Sequence, residues 1–507
     1  MYSLAIFATL IGTIHSANIL GVFMYPSPSH QVVFQQIWQE LSLRGHQVTV
    51  VTPNPLNNST LTNLTEISVN FIYDEVASFI YEDHSSPYKA TETYYNTLHL
   101  IAWKELNSPQ FQKLIRDQSK TYDLILIEYV HPVMYALMHR FQAPVIAIAA
   151  SEIPSASYDA VGNPNHPILY PEPILNFTPA RLTLWEKCQS VLFFVWSKIY
   201  YHNTVVPHAH ETAKKIFGED VPYIGDLERN VSMFFINRNL LLNPPRANVP
   251  AIVEISPIDT TPPKTLPRDL RKILDEAREG VIYINLHGVT SAKFNKKRVT
   301  ILQALSELPY KILWKWDYDQ ETPSNIVVRK SIPERDLLAH RNVKAFVTEG
   351  DIHSIEAGIS NEVPLIIVTF MQNKPSNVKR VLKLGIGGKI NLDTLTKTKL
   401  KNIVVKVAET RSYRTKIKEA KNILLDKPMT GLESAVWWSE YVIRHKGARH
   451  MRSFAVDMPM YKYLLLDVIL FLVLLVTLFP YLCYCVVVKV VKKLMSKKKS
   501  TEKEKKN

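Results

Sequence analysis

The sequence predicts an α/β protein with two domains, each built on a parallel sheet, and one C-terminal transmembrane helix. Three observations support this fold class. The chain has 507 residues, which is too long for one ordinary core. Strand-like and helix-like segments alternate in two blocks, separated by a proline-rich stretch at 243–267. Near the end, residues 464–488 form an apolar run long enough to cross a bilayer.

The first block predicts an N-terminal domain over residues 18–242. It opens with a strand, a helix and a second strand, and this order favours a parallel sheet. Two buried apolar runs farther along predict more strands of the same sheet. The strand segments are ANILGVFMY (17–25), QVTVVT (47–52), YDLILIE (122–128) and APVIAIAA (143–150), and the helix is HQVVFQQIWQELSLRGH (30–46).

The stretch 243–267 contains repeated prolines and breaks the periodicity, so it is interpreted as a linker. After it the alternation restarts, which predicts a second domain over 268–447. Its strands are GVIYINLHG (280–288), YKILWKW (310–316), VKAFVTEG (343–350) and PLIIVTF (364–370). Two such domains place a ligand in the cleft between them, at the carboxyl ends of the strands.

Both ends of the chain indicate a membrane protein of the secretory route. Residues 1–17 resemble a signal peptide. A juxtamembrane segment, 448–463, leads into the predicted span at 464–488. The tail, 489–507, carries nine lysines against two glutamates, so the chain's basic excess indicates a cytosolic membrane flank and not nucleic-acid binding. A lumenal body and a cytosolic tail give a type I topology.

Smaller signals agree with a lumenal body. Of three cysteines only Cys188 lies outside the predicted span, so no disulfide can form within the body. The final KEKKN resembles a retrieval signal of the endoplasmic reticulum, which predicts a protein of that membrane, and Asn-x-Ser/Thr sequons predict a glycoprotein. The Asn-x-Ser/Thr sequons begin at Asn57, Asn58, Asn63, Asn176 and Asn230.

Four stretches together resemble the membrane-bound UDP-glycosyltransferases of animals, most closely those of insects. The resemblance covers nearly the whole chain. It implies two facing Rossmann-like domains of the GT-B architecture, which transfer a sugar from a UDP-sugar to a small lipophilic acceptor held mainly by the N-terminal domain. The stretches are PSPSHQVVFQQIWQELSLRGHQVTVVT, IPERDLLAHRNVKAFVTEG, VPLIIVTFMQNKPSNVKRV and AVWWSEYVIRHKGARHMRSFAVDMPMYKYLLLDV.

His30 matches the catalytic base of this family, and Glu128 stands where the family has an acidic residue that orients the histidine. The chemistry fits, because an acceptor hydroxyl must lose its proton as it attacks the sugar, and imidazole titrates near neutrality. Both residues follow predicted strands of one domain. The alternative is a helix-capping histidine and a solvated carboxylate at a strand end.

The donor side departs from the family pattern. Where the family has Thr-His-Gly-Gly, this chain has TEGD, and Ser331 stands where a tryptophan would stack on uracil. Ala357 replaces the glutamate that holds the ribose, and Glu356 is one place early, which would serve only if the turn were shortened. The candidate donor-site residues are Asn285, Gly288, Ser331, Glu334, Glu349, Gly350, Asp351, Ser354, Glu356, Asn373 and Lys374.

Two functions remain open. The first is transfer of a hexose, with glucose as the expected sugar, by an inverting mechanism that uses His30, with detoxification as the biological role. The second is a silent family member that binds lipophiles or modulates a partner, because Glu349 and Asp351 would repel a diphosphate. The expected partners are a UDP-sugar co-substrate, a lipophilic acceptor, the membrane and related transferases in an oligomer. No metal or other cofactor is expected, although two carboxylates could bind a divalent cation.

Overall fold

The computed structural model describes residues 16–76, 86–258, 262–286, 292–317, 321–369 and 375–504. The chain divides into two compact units, Met1–Arg452 and Ser453–Asn507. The first unit contains two parallel sheets. Most of the predicted signal peptide lies outside the described residues.

The first sheet has seven strands among the described residues, all parallel, in the order β3-β2-β1-β4-β5-β6-β7. This order places β1 and β4 side by side, with Val22 opposite Ile127. The chain reverses direction across the sheet at that point, and such a switch point opens a crevice at the carboxyl ends of the strands. The strands are β1 (Asn18–Val22), β2 (Gln47–Thr52), β3 (Leu64–Ser68), β4 (Leu124–Glu128), β5 (Val145–Ala149), β6 (Met233–Ile236) and β7 (Ile252–Glu254).

Helices cover both faces of this sheet. A π-helical segment, Tyr201–Val205, joins two of them. The helices are α1 (Pro28–Leu43), α2 (Ile72–Val76), α3 (Pro87–Leu106), α4 (Pro109–Arg116), α5 (Ala136–Phe141), α6 (Leu184–Tyr200), α7 (Val206–Phe217) and α8 (Ile224–Glu228).

Helix α1 follows β1 after a short turn. Ser27 precedes its first turn in an extended conformation, and Pro28 occupies the first helical position, where its missing N–H costs nothing. Apolar residues then recur at helical spacing and are fully buried, among them Phe34 and Trp38. The stacking of Phe23 on Phe34, with ring centroids 4.7 Å apart, fixes the helix against the end of β1.

The second sheet has the same arrangement, with six parallel strands among the described residues in the order β10-β9-β8-β11-β12-β13. Here β8 and β11 are neighbours, with Asn285 opposite Thr348, so a second switch point lies between them. The strands are β8 (Val281–Asn285), β9 (Lys311–Lys315), β10 (Ile326–Arg329), β11 (Val343–Thr348), β12 (Leu365–Thr369) and β13 (Gly387–Asn391).

Helices also flank the second sheet, and the last of them returns to the first. Ala435, Val436 and Val442 of this returning helix belong to the same buried cluster as residues of β1 and β4. The helices are α9 (Arg268–Glu276), α10 (Ala292–Ser306), α11 (Glu334–Leu338), α12 (Ile352–Ser360), α13 (Pro375–Leu384), α14 (Lys397–Glu409), α15 (Arg411–Leu425) and α16 (Gly431–His445).

The predicted fold class, two parallel sheets of Rossmann-like type, is confirmed by these sheets. One difference concerns the predicted linker at 243–267, because β7 lies inside it and pairs with β6. Its residues carry the seventh strand because Phe235 and Ile236 offer a buried edge for pairing. The domain boundaries themselves stay predictions.

The second unit is mainly helical and contains α17 (Met460–Tyr463) and α18 (Leu466–Glu504). Among the described residues, one helical stretch, Leu466–Ser496, is long and apolar enough to cross a membrane, and an 18-residue window within it has a mean hydropathy of 2.5. It overlaps the predicted span at 464–488, and the helix continues into the basic tail without a break.

Candidate active site

His30 and Glu128 meet at the switch point of the first sheet. His30 is the third residue of α1, and Glu128 is the last residue of β4. The His30 Nδ1 atom lies 3.2 Å from Glu128 Oε1. The histidine side chain is 34% exposed and the glutamate 2%, so the ring stands between a buried carboxylate and solvent. The structure therefore brings the two predicted residues together.

Glu128 is held by the backbone as well as by the histidine. Its Oε2 atom accepts hydrogen bonds from the backbone N–H groups of Met24, at 2.9 Å, and Tyr25, at 2.8 Å. Three contacts therefore fix the position of the carboxylate. The alternative of a solvated strand-end carboxylate does not fit this burial.

The contact sets the tautomer of His30. A carboxylate can only accept, so Nδ1 donates to Glu128 and the neutral ring carries its lone pair on Nε2. The ring also lies against Tyr25, with centroids 5.0 Å apart. His30 is thus oriented by a buried acceptor on one side and an aromatic ring on another, as expected of a general base.

Neighbouring polar groups that the sequence did not single out complete this side of the cleft. Gln31 donates to the backbone oxygen of Tyr25 at 3.0 Å and accepts from the Thr52 hydroxyl at 2.8 Å. The Tyr73 hydroxyl donates to Asn54 at 2.7 Å. Burial raises the pKa of Tyr73 to about 12, and the negative charge of Glu128 acts in the same direction. The only sequence signal that could have identified one of these groups was the position of Gln31 directly after His30.

The turn after β11 holds three of the predicted donor-site residues. Gly350 has φ +81°, and a Cβ there would lie 2.8 Å from Ile367, so the position requires glycine. Asp351 is the N-cap of α12. Its Oδ1 accepts from the Ser354 N–H at 2.9 Å and its Oδ2 from the Ser354 hydroxyl at 2.7 Å. Glu349 is half-buried.

This geometry differs from the expectation that the Asp351 carboxylate faces a bound diphosphate. The side chain is 7% exposed and turns to its own helix, because the first N–H groups of a helix need acceptors and favour a negative charge. Asp351 therefore occupies donors that an external anion would otherwise use. The sequence shows an acidic residue before a helix. It does not show whether the carboxylate of that residue points to the helix or to a bound diphosphate.

Glu356 is buried between the two sheets. Its carboxylate accepts from the Asn239 amide at 2.5 Å and from the Ser256 hydroxyl. Asn239 follows β6 and Ser256 follows β7, so both partners lie just beyond the carboxyl ends of strands of the first sheet. Burial raises the pKa of Glu356, while the two hydrogen bonds lower it. In this arrangement Glu356 links the two halves of the molecule.

Asn285 and Glu334 are also brought together. The Asn285 amide donates to Glu334 Oε2 at 2.5 Å, and the Tyr283 hydroxyl donates to the same atom at 3.0 Å. Asn285 ends β8 and Glu334 begins α11, so the contact joins two elements at the carboxyl edge of the sheet. Ser331 lies three residues before Glu334 and is exposed.

A cavity of about 40 Å³ lies beside these groups and is lined by Glu334, Arg335, His353 and Glu356 among others. It is far smaller than the roughly 300 Å³ or more of a typical ligand pocket. Gly288, Asn373 and Lys374 lie outside the described residues, so their placement is not part of this geometry. No group of three or more His, Cys, Asp or Glu side chains in the described ranges could hold a metal ion.

Known proteins resemble this chain over almost its whole length. The family model of the UDP-glucuronosyl and UDP-glucosyl transferases matches residues 21–501. UDP-glucosyltransferase 2 of Dactylopius coccus is 31% identical, over 97% of this chain and 96% of the relative. UDP-glucuronosyltransferase 1-2 of Rattus norvegicus is 26% identical, over 91% and 90%.

Solved structures show the same fold. The calicheamicin glycosyltransferase CalG4 superposes with a TM-score of 0.55 at 16% identity, over 85% of this chain and 99% of that protein. Two facing parallel sheets of this kind define the GT-B architecture. Together with the family match across residues 21–501, they establish that the chain belongs to the UDP-glucuronosyl and UDP-glucosyl transferase family.

Proposed function

We propose that the protein transfers a hexose, glucose in the first place, from a UDP-sugar to a hydroxyl group of a small lipophilic acceptor. The observation that carries this proposal is the contact between His30 Nδ1 and the buried Glu128 carboxylate at 3.2 Å. A base placed at the switch point of the acceptor-side sheet suits removal of a hydroxyl proton. The similarity to a glucosyltransferase at 31% identity supports glucose.

In the proposed reaction the acceptor oxygen attacks the anomeric carbon as its proton passes to His30 Nε2. The bond from the anomeric carbon to the UDP oxygen breaks, and UDP leaves with the electron pair. The Glu128 carboxylate stabilises the imidazolium that forms, because an opposite charge within hydrogen-bond distance favours the charged ring. Attack from the face opposite UDP inverts the configuration of the anomeric carbon.

Product analysis tests this proposal. The full-length chain in membranes is incubated with UDP-glucose and a panel of phenolic and sterol-like acceptors. Mass spectrometry should detect an acceptor heavier by one hexose, and NMR should show the inverted anomeric linkage. Release of free glucose without any glycoside, or a product with retained configuration, would contradict it.

A second candidate function, a silent member that binds lipophiles, is supported by the donor side. Asp351 caps its own helix and Glu356 bonds to the first sheet, so neither carboxylate is directed at a nucleotide by these contacts. A thermal-shift titration with UDP and UDP-glucose, with and without Mn²⁺, separates the two candidates. The transferase should melt at a higher temperature with UDP, whereas the silent member should respond to lipophiles alone.

We further propose that Leu466–Ser496 anchors the protein in the endoplasmic reticulum membrane as a type I protein. The apolar length of this stretch supports the anchor, and the lysines that follow it support a cytosolic tail. A lumenal body would meet lipophilic compounds that dissolve in the membrane, which suits a role in detoxification.

A further inference from the structure

Helix α6 exposes a continuous apolar face. Leu184 is 80% exposed, Trp185 68% and Leu192 62%, which is unusual for large apolar side chains. At 100° per residue, the exposed apolar residues of this helix fall within an arc of about 120°. This outward face consists of Leu184, Trp185, Cys188, Val191, Leu192, Val195 and Ile199.

The opposite side of the same helix is packed. Phe193 is 2% exposed and Ser190 1%, and the Ser190 hydroxyl donates to the backbone oxygen of Pro167. The described residues therefore cover the side of helix α6 that holds Phe193 and Ser190, and they leave the outward face exposed. A helix that lies on the surface of a soluble domain normally turns polar residues outward, so the outward face requires an apolar environment.

Charged and polar residues border the outward face and indicate what that environment is. Arg181 and Lys187 are exposed, and Gln189 marks the other edge. Lys198 bonds to Asp159 at 2.7 Å. A narrow apolar stripe with a tryptophan and flanking cations is typical of helices that lie in the headgroup region of a bilayer, where cations meet lipid phosphates.

We propose that the outward face of α6 rests in the surface of the lipid bilayer that holds the Leu466–Ser496 anchor. This inference builds on the anchoring proposed above, which keeps a bilayer within reach of the body at all times. The contact adds a second, interfacial attachment to the membrane. Such a contact buries the stripe without a partner protein.

The same placement would bring the body close to lipophilic acceptors dissolved in the bilayer, a consequence that rests on the proposed transferase activity. Aromatic rings lead inward from α6. The ring of Trp196 lies 4.8 Å from Tyr88 and 5.2 Å from Tyr200, and Tyr200 lies 6.3 Å from Tyr95. Tyr95 belongs to the buried cluster that also contains Met24, whose backbone holds Glu128. Packed aromatic rings thus connect Trp196 of α6 to the core cluster that lies under this side of the sheet.

Cys188 provides the probe, because it is exposed in the middle of the outward face. Three single-thiol forms of the full-length chain are placed in lipid nanodiscs and labelled with a nitroxide. The first keeps Cys188 alone. The second keeps Cys483 in the anchor. The third carries Ser412→Cys on the exposed polar surface of α15 with all native cysteines replaced by serine.

The measurement is the ratio of collisions with oxygen, which concentrates in lipid, to collisions with a water-soluble nickel chelate. We expect the ratio at Cys188 to exceed that at position 412 several-fold and to approach the ratio at Cys483. Adding Leu192→Glu and Val195→Glu should return the Cys188 ratio to the aqueous value.

Other outcomes overturn the proposal. The collision ratio could be that of water at Cys188 and that of lipid at Cys483. This result would exclude contact of the outward face of α6 with the bilayer, but it would not contradict the anchor or the transferase function. Protection of Cys188 from both reagents, with spin–spin broadening, would show that a second copy of the chain covers the face. An aqueous ratio at Cys483 would remove the anchor and the bilayer contact together.

Discussion

Asp351 places a negative charge at the start of α12. The free backbone N–H groups at the start of a helix can bind the phosphates of a nucleotide. The Asp351 carboxylate already accepts two hydrogen bonds from Ser354. A carboxylate about 5 Å from a phosphate costs about 3 kcal/mol at an effective dielectric of 20. The residue therefore caps the helix, and its charge would oppose a phosphate bound at the same turn.

A substitution of Asp351 can remove its negative charge and keep its role as the N-cap of α12. Asparagine caps a helix about as well as aspartate, so Asp351→Asn together with Glu349→His should keep α12 intact and remove the repulsion. We expect this variant to bind UDP at least about tenfold more tightly than the natural chain, a gain of ~1.4 kcal/mol. Isothermal titration calorimetry without metal measures it.

The control is Asp351→Ala, which removes both the charge and the cap. It should lower the free energy of unfolding by about 0.5–2 kcal/mol, whereas Asp351→Asn should not. Equal UDP affinities of the natural chain and the double variant would show that these two charges do not limit donor binding.

At the scale of elements, the sequence predicts buried strands well and edge strands poorly. Strand β2 has the predicted bounds, Gln47–Thr52, because its buried, β-branched residues favour an extended chain. The buried strand β6, which has only four residues, was not predicted, and neither were the edge strands β3, β7, β10 and β13. These edge strands are short and carry polar residues or glycine, as in GGKIN at 387–391, since an edge needs little apolar burial.

Some contacts of the candidate site could be predicted from the sequence, and others could not. The approach of His30 to Glu128 was predictable because both lie at the carboxyl ends of strands of one parallel sheet. The partners of Glu356 were not, because Asn239 lies 117 residues away in the sequence. Sequence patterns place residues at an edge of a sheet, but they do not give the direction of a side chain between two sheets.

The pairing of α3 with α7 produces a pH dependence of stability. His99 of α3 stacks on His208 of α7, with ring centroids 4.0 Å apart. Burial, and then the charges of His208 and Lys215, lower the pKa of His99 to about 4. The unfolded histidine titrates near 6.5, so the unfolded chain binds more protons between these values. His99 therefore costs stability as pH falls from about 6.5 toward 4.

The variant His99→Phe should keep the stack and remove this titration. Buried Glu228, whose pKa is raised to about 7 by burial, acts in the opposite direction, so only the difference between two proteins is informative. Relative to His99→Phe, the natural chain should lose about 1 kcal/mol of unfolding free energy per pH unit below 6.5. Denaturant titrations from pH 7 to 5 measure this. A constant difference across the range would contradict the assignment.

At the scale of the whole molecule, both sheets carry candidate site residues at their carboxyl edges, and a single apolar stretch among the described residues is long enough to cross a membrane. The orientation of the chain in the membrane determines which compartment the candidate site faces. Because the lysines follow the anchor, we expect the body on the lumenal side and the tail in the cytosol.

Protease protection tests this orientation. Protease added to sealed microsomes should remove an epitope fused to the tail and leave residues 16–452 intact until detergent opens the vesicles. Digestion of the body with survival of the tail epitope in sealed vesicles would reverse the topology.

The central claim is that His30 and Glu128 act as one catalytic unit. It is tested most directly by the rate of acceptor-dependent UDP release from UDP-glucose by the natural chain, His30→Ala, Glu128→Ala and the double variant. His30→Ala should reduce turnover by about 10²–10⁴, the usual contribution of a general base. Because Glu128 acts through His30, the double variant should be no slower than His30→Ala. Unchanged turnover in His30→Ala, or losses that multiply in the double variant, would contradict the account.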